Sequence, residues 1–139
     1  MAEPTLNANA RDDHQFFAVS EALAEPSRRD IVADIVAHPK GLPAMKELEF
    51  STGLHRTTIR EHMDVLIETG IVEVVEIPIG ERSKGEPSKF YGITNMARHI
   101  FDRNNIFHEQ HWQELYERVD KPEEITMAES APRPGDVPE

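Results

Sequence analysis

The chain of 139 residues contains no cysteine, and this absence excludes several kinds of chemistry. Without thiols there are no disulfides, no thiolate ligands for a metal and no thiol-based redox sensing. A nucleophile motif, a phosphate-binding glycine loop and a complete set of metal ligands are also missing. We therefore expect a protein that is not an enzyme and that carries no cofactor.

Long apolar runs are missing as well, so no segment is expected to span a membrane. The N-terminal stretch MAEPTLNANARDD lacks both the basic region and the apolar region of a secretory signal. Hydrophobic residues make up 38% of the chain and aromatic residues only 6%, which is typical of one small globular domain. Together these features predict a cytoplasmic protein without a membrane partner.

Basic residues are in short supply. The chain has 15 Lys and Arg against 26 Asp and Glu, a formal net charge of −11. The excess acid is spread along the chain: residues 1–43 carry −3, residues 44–94 carry −3, residues 95–119 carry −1 and residues 120–139 carry −4. Such a balance is unusual for a protein that binds nucleic acid.

Four helices are predicted in the N-terminal half from apolar residues at helical spacing. A flexible tail at 1–11 is expected to precede them. Pro26 marks the first turn of the second helix, and Gly70 is placed as the left-handed stop after the fourth. The predicted helices span about 13–24, 26–38, 43–50 and 56–68, and the buried stripe of the fourth consists of Ile59, Met63 and Leu66.

The pattern then becomes extended. β-branched residues from Ile71 to Ile79, a polar tip at 80–87 and the segment Lys89–Thr94 predict a β-hairpin at about 71–94. A final long helix is expected over 95–119. Residues 120–139 contain four prolines and little to bury, so they are predicted to form an acidic disordered tail.

The last helix carries more apolar surface than a terminal helix needs to cover so small a core. We interpret the surplus, together with two phenylalanines of the first helix, as the interface of a homodimer. The residues predicted to lie in this interface are Phe16, Phe17, Ile100, Phe107, Trp112, Leu115, Tyr116 and Val119.

A mainly helical chain with this order of elements predicts a winged helix-turn-helix, with residues 12–94 as a DNA-binding domain and 95–119 as a dimerisation helix. Three stretches resemble ArsR-type transcriptional regulators: ALAEPSRRDIV from Ala22, Gly53–Val72, and FYGIT from Phe90. PadR and MarR regulators share this architecture. The whole acidic, cysteine-free chain resembles haloarchaeal regulators, including the RosR type of oxidative-stress regulator. The resemblance implies a regulator whose homodimer reads a pseudo-palindromic operator in double-stranded DNA.

Polar and basic residues on the fourth helix and in the hairpin are the candidates for DNA contact. A solvated helix face and a solvated loop tip are the plain alternatives. Arg pairs with guanine, and Glu61 is placed to accept from a cytosine amino group. The candidates are Arg56, Thr57, Thr58, Arg60 and Glu61 on the helix, Ser51 and Thr52 in the turn, and Arg82, Ser83, Lys84 and Lys89 in the wing.

Two further features bear on the function. His55 stands where a capping Ser is usual in the family, so the helix start is expected to shift or to use another cap. His108, His111 and Glu114 recur every three residues on the last helix, and His111-x-x-Glu114 resembles half of an ArsR metal site. A metal-sensing repressor is therefore an alternative, although a polar stripe explains the triplet equally well.

The acidic balance leaves a second alternative, a winged-helix module that binds protein and not DNA. Against it, Arg56 and Arg60 fall on one face of a helix. Cations gathered on the reading face, with acids elsewhere, would reconcile the charge with DNA binding. At about 1 M salt the Debye length is roughly 3 Å, so distant acids scarcely repel DNA. We therefore expect adaptation to high salt, with salt ions bound on the acidic surface.

Overall fold

The computed structural model of the protein describes residues 4–135, with side chains described from residue 13 onward. None of the helices in this range is long and apolar enough to cross a membrane. The helices are α1 (Pro4–Ala22), α2 (Pro26–Ala37), α3 (Met45–Thr52), α4 (Arg56–Glu68), α5 (Asn95–Arg103), α6 (Glu109–Glu117) and α7 (Glu123–Ser130), and the strands are β1 (Val72–Glu76) and β2 (Lys89–Ile93).

Helix α2 lies at the centre of the core, with Ile31, Val32 and Ile35 fully buried. The helices α3, α4 and α6 and the strand β2 pack around it. The stripe predicted on α4 is confirmed, because Ile59, Met63 and Leu66 are its buried residues. Burying one such side chain is worth about 1.5–3 kcal/mol, so the apolar face holds α4 against α2 and leaves its polar face outside.

The two strands pair antiparallel in an unbroken register from Val72 opposite Ile93 to Glu76 opposite Lys89. A one-turn 3₁₀ helix at Ile79–Glu81 follows β1 at the tip of the hairpin. Gly70 has a φ of 84° and ends α4 in the left-handed conformation, as the sequence predicts. This turn brings β1 directly out of the helix-turn-helix, so the wing is placed beside α4.

The first helix begins earlier than predicted. Residues 4–11, which we expected to be a flexible tail, form the first turns of α1, and residues 1–3 lie outside the described range. Pro4 suits the first helical position, and no glycine or other proline interrupts the chain before Pro26. Because no helix-breaking residue intervenes, the helix continues on the N-terminal side of the apolar residues from which its predicted start, about residue 13, was taken.

The prediction of a single helix over 95–119 is wrong, because the chain breaks between α5 and α6. Asn105 and Phe107 have φ values of 60° and 51°, in the left-handed region. Asn tolerates this conformation well and commonly ends helices. The break turns the Phe107 ring onto that of Phe101, with 4.8 Å between centroids, so a core contact stabilises a conformation that is unusual for phenylalanine.

The prediction of disorder for 120–139 is also wrong over its described part. Residues 123–130 form α7, which packs on α3, and residues 136–139 lie outside the described range. Few side chains are buried in this acidic segment, but they are well matched to their surroundings. They are Ile125, Ala128, Ala131 and Arg133.

Candidate nucleic-acid interface

The turn of the helix-turn-helix runs from Gly53 to His55, between α3 and α4. Gly53 adopts a φ of 73° at the end of α3, where left-handed backbone favours glycine. The hydroxyl of Thr52 donates to the Leu48 carbonyl at 2.7 Å and accepts the N–H of Leu54 at 3.1 Å. Ser51 and Thr52 are half-buried, so in the free protein Thr52 builds the turn.

The start of α4 is capped by His55 itself. Its Nδ1 accepts the backbone N–H of Thr57 at 3.1 Å. A shifted start or a substitute cap is therefore unnecessary, and our expectation on this point is wrong. An imidazole nitrogen satisfies one of the unpaired N–H groups at a helix N-terminus as a Ser hydroxyl does.

Most of the predicted reading residues are exposed along the N-terminal half of α4. Arg56, Thr57, Arg60 and Glu61 are exposed, whereas Thr58 is half-buried. The structure thus brings two guanidinium groups, a hydroxyl and a carboxylate together on one solvated face. These are groups that hydrogen-bond to base edges and phosphates in a major groove.

The two arginines of this face differ in their partners. The guanidinium of Arg56 binds Oε1 of Glu49 on α3 through Nη2 at 2.8 Å and Nε at 3.1 Å. The Arg60 side chain has no hydrogen bond or ion pair with any residue of the described part of the chain. Arg60 is consequently available to a ligand. Arg56 must first release the Glu49 carboxylate before it can bind one.

The wing holds its four candidates in different ways. Arg82 turns back toward the end of β1, where its Nε donates to the carbonyl of Ile77, the residue after the strand, at 2.8 Å. Lys89 lies 5.9 Å from the centroid of the Tyr91 ring. Ser83 and Lys84 extend from the tip as exposed side chains. Arg82 therefore shapes the tip, and Lys84 is a cation with no hydrogen bond or ion pair in the described part of the chain.

The predicted dimer residues fall into two groups. Phe107 and Trp112 are half-buried against the core and Tyr116 is 8% exposed, with its hydroxyl donating to Glu129 at 2.6 Å. The surplus of apolar surface on the last helix is thus largely taken up inside the protomer, and Tyr116 is removed from the interface set. Ile100 is half-buried. The exposed members are Phe16, Phe17, Leu115 and Val119.

Helices α1 and α5 enclose an open cleft of about 520 Å³. Phe16, Met96 and Ile100 line it, together with polar side chains that include His99 and Arg103. Phe16 and Phe17 contact each other edge to face at 5.8 Å between centroids. This side of the protomer thus combines two exposed aromatic rings with an open cleft.

The histidine triplet does not form a metal centre by itself. Among the side chains that the structure describes, no group of three His, Asp or Glu residues is arranged to hold a metal ion. His108 precedes α6, while the exposed His111 and Glu114 lie on it. The carboxylate of Glu114 accepts from the Gln110 side chain at 3.3 Å, which fits a solvated polar stripe.

A half-buried carboxyl group lies on α2 close to the end of α3. Asp34 on α2 lines a cavity of about 180 Å³ with Asp30, Ser51, Thr52 and Trp112. Burial raises the pKa of Asp34 to about 6, a hydrogen bond with Ser51 opposes this rise, and the charge of Asp30 adds to it. The pKa of Asp34 is therefore about 6 in the folded protein and near 3.8 in the unfolded chain, so folding makes the carboxyl group harder to ionise.

Replacing Asp34 by Asn is expected to stabilise the protein at neutral pH. Between pH 3.8 and about 6 the folded state keeps a proton that the unfolded state has lost, so stability falls as the pH rises through this interval. The full loss, reached above pH 6, is at most about 3 kcal/mol. Denaturant unfolding from pH 4 to 7 should show that Asp34→Asn lacks this loss, whereas the exposed Asp64→Asn keeps it. Parallel curves for parent and Asp34→Asn would contradict the prediction.

Three charged or titratable side chains meet in the interior, and sequence reasoning missed them. His38, Glu47 and Arg133 are 2%, 1% and 3% exposed. Nε2 of His38 lies 2.9 Å from Oε1 of Glu47, and Nη2 of Arg133 lies 2.9 Å from Oε2 of the same carboxylate. The Ala44 N–H donates to that Oε2 at 2.6 Å and starts α3. The only sequence signal was a Glu three residues after the start of a helix, typical of a capping box.

Opposing effects act on the Glu47 carboxyl group. Burial raises its pKa, but the hydrogen bond and charge of His38, the Ala44 N–H and the charge of Arg133 outweigh this and lower the pKa below 4.5. The site thus holds an ionised carboxylate in the interior. This carboxylate connects the end of α2, the start of α3 and the C-terminal segment.

Several solved structures resemble the chain. A protein with a GntR superfamily winged helix-turn-helix domain from Halomicrobium mukohataei has a TM-score of 0.71 and 21% identity, over 99% of this chain and 94% of that one. The transcriptional repressor BigR from Xylella fastidiosa has a TM-score of 0.49 and 24% identity, over 78% and 98%. The homodimeric domain Mb0332 from Mycobacterium bovis, a possible ArsR-family transcriptional regulator, has 0.49 and 23%, over 82% and 94%.

The sequence matches no protein-family model and no curated protein. The structure from Halomicrobium mukohataei, which spans nearly the whole of this chain, establishes the fold. The protein is a mainly helical winged helix-turn-helix with a two-stranded antiparallel wing, as its sequence predicts. At 21% identity the likeness concerns the fold, and the function is inferred from the residues described above.

Proposed function

We propose that the protein is a sequence-specific DNA-binding transcriptional regulator. Its homodimer reads a pseudo-palindromic operator through α4 and the wing. The observation that carries this proposal is the exposed N-terminal face of α4, where Arg60 has no partner within the described chain and Arg56, Thr57 and Glu61 lie beside it. A helix presented in this way by a helix-turn-helix docks in a major groove with its N-terminal residues toward the bases.

The wing supplies a second, less specific contact. Lys84 is an exposed cation of the tip, and Arg82 holds the tip in shape through the Ile77 carbonyl. A cation in this place suits the phosphate backbone, which fixes register without reading sequence. Thr58 lies at the start of α4, and Ser51 and Thr52, predicted in the turn, are the last residues of α3; all three are half-buried, and we propose that they contact phosphates.

The dimer is proposed to form through α1 and α5. Phe16 and Phe17 of one protomer would enter the cleft between α1 and α5 of the other, around a two-fold axis. Leu115 on α6 and Val119 just after it are also exposed, and we propose that they belong to the same interface. This arrangement would place two α4 helices to read half-sites about one turn of DNA apart.

Phe17→Asp is therefore expected to convert the dimer into a monomer. It would bury a carboxylate in an apolar interface, which disfavours association by several kcal/mol at least. Sedimentation equilibrium measures the change. Met127→Asp is the matched control, because Met127 is 65% exposed and Phe17 is 64% exposed, but Met127 lies on α7. Equal molecular masses for parent and Phe17→Asp would rule out this interface.

Binding is expected to persist in salt that dissociates ordinary repressors. At low ionic strength the net charge of −11 repels DNA over a long distance. At about 1 M salt the Debye length is roughly 3 Å, so charges farther apart than this scarcely interact. High salt also weakens counterion release, so specificity would depend more on base contacts. Fluorescence anisotropy of an operator duplex from about 0.1 to 2 M KCl tests this. Binding restricted to salt below about 0.2 M would contradict the proposed adaptation.

Chromatin immunoprecipitation with sequencing, with and without an oxidant, tests the function as a whole. Enriched sites sharing a pseudo-palindrome would support the regulator and identify its operator. A change in occupancy after the oxidant would connect it to oxidative stress. Absence of enriched sites under both conditions would favour the alternative, a winged-helix module that binds protein, for which the net negative charge of residues 44–94 is the supporting observation.

A further inference from the structure

The C-terminal segment 122–135, here called the strap, is anchored by one fully engaged side chain. The Arg133 guanidinium donates through Nε to the Leu42 carbonyl at 2.8 Å and through Nη1 to the carbonyls of Ala128 at 3.0 Å and Ala131 at 2.7 Å. Nη2 donates to both carboxylate oxygens of Glu47, at 2.9 and 3.2 Å. All three guanidinium nitrogens therefore donate hydrogen bonds, and the planar group is held in a fixed orientation.

These contacts connect the strap to the elements that present the reading surface. Glu47 belongs to α3, the helix that braces α4, and its carboxylate also holds Ala44 and His38. On its other side the guanidinium stacks over the Phe90 ring, with 4.4 Å between Cζ and the centroid. Phe90 is fully buried and lies in β2, the returning strand of the wing. Arg133 thus touches the helix-turn-helix and the wing together.

The chemistry of the Arg133 side chain indicates that it fixes the orientation of its neighbours and does more than bury Phe90. An apolar side chain of similar volume would cover Phe90 equally well, and replacing buried ion pairs by apolar groups is often neutral for stability. A guanidinium fixes the angles to a carboxylate, three carbonyls and a ring at once. Lys40 adds a second tie, from Nζ to the Ala131 carbonyl at 3.1 Å.

We infer that Arg133 is a positioning residue for DNA binding: through Glu47 and Phe90 it fixes the wing relative to the reading helix. This inference rests on the proposed function for its DNA readout alone. The placement of the wing is a property of the free protein and can be measured without DNA.

The test uses the absence of cysteine from the chain. Glu68→Cys at the end of α4 and Glu81→Cys at the wing tip, both exposed, would carry spin labels in the full-length protein. Labelled protein diluted into excess unlabelled protein reports the distance within one protomer by pulsed dipolar spectroscopy. Arg133→Met is expected to broaden this distance distribution and to weaken operator binding about tenfold, with loss of the hydroxyl-radical footprint outside the major-groove half-site.

Lys121→Met is the matched control. Lys121 also belongs to the C-terminal region, pairs with a carboxylate, Glu129, at 2.9 Å and lies 4.4 Å from a ring centroid, that of Tyr116. Its partners are Glu129 on α7 and Tyr116 on α6, and its contacts in the described part of the chain include none with α3 or the wing. The control should leave both the distance distribution and the footprint as in the parent, even where its melting temperature falls as far as that of Arg133→Met.

Each outcome decides something different. An unchanged distance distribution in folded Arg133→Met overturns the inference. A broadened distribution with an unchanged footprint also overturns it, because placement would then not matter for DNA. If the parent binds no DNA while Arg133→Met broadens the distribution, the proposed function fails and the role of Arg133 in placing the wing stands. If Arg133→Met does not fold, Arg133→Lys, which keeps the charge and loses the fork, decides by the same measurements.

Discussion

Arg60→Ala is expected to abolish most of the specific affinity for the operator. A bidentate contact of an arginine with guanine contributes about 1–3 kcal/mol of discrimination, and a homodimer makes it in both half-sites. Operator affinity should therefore fall by about thirtyfold to more than a thousandfold, while affinity for unrelated DNA changes little. Fluorescence anisotropy with operator and scrambled duplexes in the same salt measures both values.

The substitution of Arg60 is expected to have a larger effect on DNA binding than that of Arg56. Arg56 is held by Glu49, so its contact with DNA replaces an existing ion pair and the net gain is smaller. Arg60 loses no partner of the described chain when it binds. Both side chains are exposed, so neither substitution should change stability by more than about 0.5 kcal/mol. The melting temperatures of the variants check this.

Lys84→Ala is the matched control for the mode of contact. Removing this cation from the wing should weaken binding to operator and scrambled DNA alike, and the salt slope should fall by about 1 for each phosphate that the wing no longer binds. Loss of preference in Arg60→Ala and loss of overall affinity in Lys84→Ala would separate reading from positioning. If both variants bound operator DNA as the parent does, the assignment of this surface would be refuted.

Glu47→Ala is expected to have the largest effect on stability. It leaves the guanidinium of Arg133, 3% exposed, without its carboxylate and also removes the acceptor of the Ala44 N–H. Removing one partner of a buried ion pair costs about 3–5 kcal/mol, which for a chain of this size lowers Tm by about 10–20 °C. Thermal and denaturant unfolding followed by circular dichroism measure the loss.

Glu49→Ala, two residues along the same helix, is the control. Its carboxylate forms an exposed pair with Arg56, so the cost should stay below about 1 kcal/mol. The pH dependence gives a second criterion. Because the pKa of Glu47 is lowered, its stabilisation is present above pH 4.5 and is lost as the pH falls below that value. Glu47→Ala should lack this part of the acid-induced loss. Similar melting temperatures for the two variants would show that the buried cluster contributes little.

The helix-turn-helix and the wing could be predicted from the sequence because their signals are local. The apolar stripe of α4 repeats within one helix, Gly70 marks its end, and β-branched residues mark β1. The exposed residues of α4 could be predicted for the same reason, since a buried stripe determines which face remains exposed. Arg56, Thr57 and Arg60 follow directly from the positions of Ile59, Met63 and Leu66.

Other features depended on contacts that periodicity does not contain. The break between α5 and α6 follows from Asn105 and from the packing of Phe107 on Phe101, which outweigh an otherwise continuous helical pattern. The helix α7 was missed because composition predicts disorder for a segment that is acidic and rich in proline. Composition indicates only how much apolar surface a segment can bury. The helix α7 is held by a few specific contacts, among them the burial of Ile125 and the ion pair of Arg133 with Glu47 just after the helix.

By itself, the sequence determined the class of fold, the exposed polar face of α4 and the excess of acid, because each depends on residue type or on spacing within one element. Tertiary structure alone decided which of these residues are free. It pairs Arg56 with Glu49, turns Arg82 back onto the wing and buries Tyr116. It also joins Arg133 to Glu47 across 86 residues of chain. A buried ion pair requires two distant segments to meet in one geometry, and that meeting is produced only by the packing of the whole domain.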